Sequence, residues 1–95
     1  MANRLQKDIT QNRVEQLKKI QAEALELFER KNKDYGDAFA ADGPVGVMIR
    51  MGDKLARYKS VTRTGITLVD TESLRDTAID LHNYAAMLVM TLDDT

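Results

Sequence analysis

The chain contains no cysteine and no tryptophan, and has one proline and one histidine. Without cysteine there is no disulfide, no thiolate metal site and no cysteine nucleophile. Aromatic residues amount to 5%, so aliphatic side chains must build the core. The longest unbroken apolar run, Ala85 to Met90, is too short to cross a bilayer. The five glycines form no phosphate-binding loop, and no serine sits in a nucleophile elbow. Neither sign of charge dominates: 14 Lys and Arg face 15 Asp and Glu, for a net charge of -1. That balance argues against sequence-independent nucleic-acid binding, which draws on a basic excess, but leaves room for a local basic site. Met1 to Asp8 is polar and lacks the apolar stretch of a secretory signal. The expectation is a cytoplasmic protein with no membrane segment.

Ninety-five residues, 43% hydrophobic and 31% charged, suit one small soluble domain. A chain of this size buries little apolar surface and often relies on association of copies. Residues 1–9 are polar and expected to be loose or to form a short helical lead-in. A first helix is expected over about 10–34, with Asn12 and Glu15 as a capping box and Val14, Leu17, Ile20, Ala24, Leu27 and Phe28 as its stripe. Gly36 suits the left-handed stop after it. Phe39, in the connection that follows, is expected to tuck inward. Pro44 fits the first turn of a second helix over about 44–61, in which Gly52 would let a neighbour approach closely. Residues 62–69 read as a loop. Asp70 or Thr71 caps a third helix over about 70–92, with Leu74, Ala78, Leu81, Ala85 and Leu88 as its stripe. Ile79, Ala86 and Met90 make this helix apolar nearly all round, and a partner subunit is the expected cover. The fold class is all-α, a three-helix antiparallel bundle-like domain completed by homo-oligomerisation through the third helix.

Three blocks carry chemistry. Lys31, Asn32, Asp34 and Tyr35 end the first helix; Arg50, Asp53, Lys54 and Arg57 lie on the second; Glu72, Asp76, Asp80 and Tyr84 follow one another every four residues on the third. Residues four apart on a helix are neighbours, so Glu72, Asp76 and Asp80 form an acidic ladder. Such a ladder needs positive charge opposite it, from a divalent cation such as Mg2+ or from basic side chains. Arg50, Lys54 and Arg57 share one side of their helix and suit phosphate oxygens. Tyr35 could stack on a base whose edge Asn32 would read. The structural alternative is an interhelical ion-pair network that sets register, with Asp53 pairing to Arg57. His82 reads as a packed structural histidine, and the five methionines as core or interface filler.

Lys31-Asn32-Lys33-Asp34-Tyr35-Gly36, Ile49 to Arg57 and Glu72 to Tyr84, in this order, resemble the nucleotide modification associated domain type 1 family. That family is small, all-helical and common in phages and bacteria. It is similar in build to the MazG-like nucleoside triphosphate pyrophosphatases, which hold magnesium against a triphosphate with acids from two helices. The resemblance implies metal or phosphate duties for Glu72, Asp76 and Asp80, with Asp53 and Lys54 beside them. It departs from the MazG-like pattern in the acid spacing, which is four on the third helix. Glu23 and Glu26 have the spacing of three but lie on the first helix.

The reading that follows is a nucleotide-binding protein. It would capture or sense a phosphorylated nucleotide, cyclic or modified signalling nucleotides included, between helices or subunits. Lys31, Asn32, Asp34, Tyr35, Arg50, Lys54, Arg57 and Tyr84 would contact the nucleotide, and Glu72, Asp76 and Asp80 any metal. A Mg-dependent pyrophosphohydrolase and a non-enzymatic helical interaction module are the alternatives.

Overall fold

The structure, a computed structural model, describes residues 4–63 and 71–95, with side chains over 9–33, 36–59 and 74–95. It is all-α. Helix α1 spans Arg4–Tyr35, a short 3-10 turn spans Ala38–Ala40, α2 spans Gly43–Arg63 and α3 spans Thr71–Asp93. No strand occurs among the described residues.

Each boundary has a local cause. Helix α1 starts at Arg4, not near residue 10, and the expected Asn12 cap goes unused. The stretch Leu5 to Asp8 holds no Gly or Pro to stop a helix, and Gln11 and Arg13 bond along the helix to Glu15 and Gln16 at 3.1 and 2.7 Å. At its other end Gly36 takes φ +60°, and its N–H donates to the Asn32 carbonyl at 2.7 Å. Only glycine adopts that left-handed cap without cost. Gly43 opens α2 with φ +66°, and Pro44 follows in the first turn as expected. The expected loop over 62–69 falls outside the described residues from 64 onward; Val61 to Arg63 still belong to α2.

Helix α3 is the central element: α2 packs along it, α1 crosses it, and α1 and α2 scarcely touch each other. Lys54 meets Asp80, while Arg50 shares a cavity with Tyr84 and Met87, so α2 and α3 run antiparallel.

Burial departs from the expected stripes. Ala24, Val47 and Ile79 are the buried apolar residues among those described, with Thr77, Asn83 and Thr91 buried beside them. On α3, Ala78 and Ala85 of the expected stripe are exposed, and Leu74, Leu81 and Leu88 are half-buried. The helix instead turns its Ile79–Asn83–Met87 side toward α1, because the polar groups there find partners. Asn83 Nδ2 donates to the Ala24 carbonyl of α1 at 3.0 Å, and Asp80 takes two lysines. On α1 only the C-terminal half of the stripe is covered: Ala24 is buried and Leu27 and Phe28 half-buried, whereas Val14 and Leu17 are exposed.

Candidate functional site

The first block, the second block and the end of the acidic ladder converge where α1, α2 and α3 meet. A cavity of about 400 Å3 opens there. Phe28 and Phe39 form one wall, packed edge to face with ring centroids 6.1 Å apart. Phe39 is thereby half-buried, as expected. Tyr84 and Met87 of α3 line the same cavity. Its polar lining comes from Lys31 and Asn32 of α1, Arg50 of α2, and Asp80 and Asn83 of α3.

Asp80 organises the charges. Its Oδ1 lies 3.1 Å from the Lys31 ammonium and its Oδ2 lies 3.3 Å from the Lys54 ammonium. Its side chain is 19% exposed and Lys54 is 23% exposed, so this cluster is shielded more than an ordinary surface pair. Arg50 is exposed, and among the described residues no ion pair holds it. It is a cation on the cavity with its donors available.

A second cavity, of about 320 Å3, lies on the far side of the Lys31–Asp80 pair. Glu23, Leu27, Arg30, Asp76 and Ile79 line it together with that pair. At its edge Arg75 of α3 grips Glu23 of α1 with both guanidinium arms, at 2.7 and 2.6 Å. The hydrogen bonds from Arg75 hold the Glu23 carboxyl below the usual glutamate range, and Glu23 in turn raises Arg75.

Of the expected nucleotide contacts, Lys31, Asn32, Arg50 and Tyr84 line the first cavity. Lys54 stands behind it, on Asp80. Arg57 is exposed, and no ion pair joins it to Asp53. The Asp34 and Tyr35 side chains lie outside the described residues. His82 is half-buried, with Nδ1 3.2 Å from the Asn83 side-chain oxygen, which suits a packed structural histidine.

The acids expected to hold a metal are described in part. Asp80 has an ammonium on each oxygen, Asp76 is exposed on the second cavity, and the Glu72 side chain lies outside the described residues. No group of three or more His, Asp or Glu that could hold a metal ion occurs among the described residues.

Sequence reasoning did not place Asn83, Met87 or Phe39 at the site. The signal was present: Asp80, Asn83, Tyr84 and Met87 follow the 0, 3, 4, 7 spacing of one helix face. The Glu23–Arg75 clamp joins residues 52 apart and had no local signal.

Residues 31–92 match the family described as nucleotide modification associated domain 1. The chain belongs to this family. The matched span opens at Lys31 and carries Asn32, Arg50, Asp80, Asn83 and Tyr84, and it leaves out most of α1, including Phe28. No curated protein and no solved structure gives a match. No helix among the described residues is long and apolar enough to cross a membrane.

Proposed function

We propose that the chain is a nucleotide-binding protein whose guest sits in the cavity at the junction of the three helices. The observation that carries this reading is one cavity with an aromatic wall and a cationic mouth. Phe28, Phe39 and Tyr84 offer rings to a base; Lys31 and Arg50 offer donors to phosphate oxygens. Asn32 and Asn83 supply amide groups able to read a base edge. The volume, about 400 Å3, falls in the range of small-molecule sites. The description of the family points to the same ligand class.

Holding is favoured over cleaving. Asp80, one of the three acids expected to serve a metal, pairs with two lysines. The chain also works as an assembly of copies, because Ala24, Val47 and Ile79, the buried apolar residues among those described, are a thin core for a stable monomer.

Calorimetric titration with nucleoside mono-, di- and triphosphates and cyclic nucleotides, with and without magnesium, tests the reading. Saturable binding of at least one nucleotide, weakened about 10-fold or more by Arg50→Ala, is expected from the loss of a charge-assisted contact. Absence of binding across the panel contradicts it.

A further inference from the structure

The chain exposes more surface than its mass requires. A compact monomer of 10.7 kDa has an accessible surface of about 5,500 Å2. This chain has 7581 Å2. The excess, about 2,000 Å2 on one chain, is more than the roughly 800 Å2 that each partner buries in a standard interface. Its radius of gyration, 16.5 Å, also exceeds the roughly 12 Å of a compact domain this long.

Part of the excess has a definite address. On α2, Val45, Met48 and Leu55 are 66%, 57% and 46% exposed, and with Gly52 they follow the 0, 3, 7, 10 spacing of one face. A Cβ added at Gly52 would meet nothing within 4 Å, so no contact inside the chain calls for a glycine there. On α3, Ala85 and Leu92 are exposed on the side opposite Ile79 and Asn83, which α1 covers. Because α2 and α3 run antiparallel, helical geometry puts both rows on the same side of the pair, away from the cavity. None of these positions carries a charge.

We infer that a second copy of this chain covers the α2–α3 face, with the partner helix passing close to Gly52. A two-fold axis there sets the same apolar patch against itself, the self-complementary arrangement that closes a dimer. If α2 meets its copy antiparallel about Gly52, Ile49 faces Leu55 and Met48 faces Ala56 of the other copy, while Val45 meets Lys59, whose aliphatic stem can lie along it. The glycine then has a purpose: it lets two helices approach closely at the centre of the contact. The cavity lies on the other side of α3 and stays open. The inference rests on the association of copies proposed above and is independent of the nucleotide.

The absence of cysteine makes the test direct. Sedimentation velocity of the full chain decides whether copies associate; at least twice the 10.7 kDa of one chain is expected. Single-cysteine variants Gly52→Cys, Ala85→Cys and Leu17→Cys, treated with a short thiol-to-thiol crosslinker, then decide which face is used. Leu17, half exposed on α1, represents the other uncovered apolar row. Gly52→Cys or Ala85→Cys should give covalent dimer faster than Leu17→Cys. A single-chain mass for the wild type refutes association altogether. An associated wild type in which Leu17→Cys crosslinks at least as fast as both others refutes this face alone.

Discussion

The Lys31 ammonium of α1 stands 3.1 Å from the Asp80 carboxylate of α3, and this contact is the wall shared by the two cavities. With Lys54 on its other oxygen, Asp80 ties all three helices together. In the proposed reading it competes with a phosphate for the same lysines. Asp80→Asn should therefore move two quantities in opposite directions. Stability should fall by about 1–2 kcal/mol in urea denaturation, since a charge-assisted contact is lost and two lysines are left less well paired. Phosphate-bearing nucleotides should bind more tightly, because a competing anion has gone. Weaker binding in a variant that still folds would make Asp80 a direct contributor to the site.

Asn83 is buried at 8% exposure and donates to the Ala24 carbonyl, joining α3 to α1. Ala24 is an interior helical residue, so its carbonyl keeps a backbone acceptor role when Asn83 is removed. The loss is one hydrogen bond and a small void. Asn83→Ala should cost about 1–2 kcal/mol in thermal or chemical unfolding. An unchanged midpoint would mean that α1 docks without this bond.

Glu23 and Arg75 predict a pH response at the edge of the second cavity. The Glu23 carboxyl is held below its ordinary range by its hydrogen bonds to Arg75. Its folded-state pKa is thus below its unfolded-state pKa, and the clamp stabilises the fold fully above the unfolded value. That contribution is lost as pH falls through the lowered folded value. A carboxyl-detected NMR titration should find the Glu23 midpoint below that of a glutamate in an unstructured peptide. Arg75→Ala should raise it; an unmoved midpoint in that variant would assign the shift to another cause.

How far the sequence could be read depended on the range of the interactions. Gly36, Pro44 and Thr71 are local signals: α1 stops before Gly36, α2 opens around Pro44 and α3 opens at Thr71. The start of α1 was misjudged because a good cap at Asn12 does not compel a helix to begin when the preceding residues are also helix formers. The inward face of α3 could not be read from apolar periodicity, because partners distant in sequence decide it. Lys31 lies 49 residues from Asp80, Lys54 lies 26 from it, and Ala24 lies 59 from Asn83. Those partners make a polar side worth burying and leave Ala78 and Ala85 outside. At the candidate site, the 31–32, 50 and 80–84 blocks were legible as charged or aromatic groups at helical spacing. The aromatic wall was not, since Phe28 and Phe39 meet only after the chain turns at Gly36.

The central claim is that the cavity lined by Phe28, Tyr84, Lys31 and Arg50 accepts a phosphorylated nucleotide. The most direct measurement is calorimetric titration of the intact chain with the nucleotide panel, beside Arg50→Ala, whose side chain is exposed and makes no ion pair among the described residues. The account predicts saturable binding to the wild type and affinity lower by about 10-fold or more in Arg50→Ala, with the same melting temperature in both proteins. No heat of binding from any nucleotide, or equal affinity in the two proteins, would contradict it.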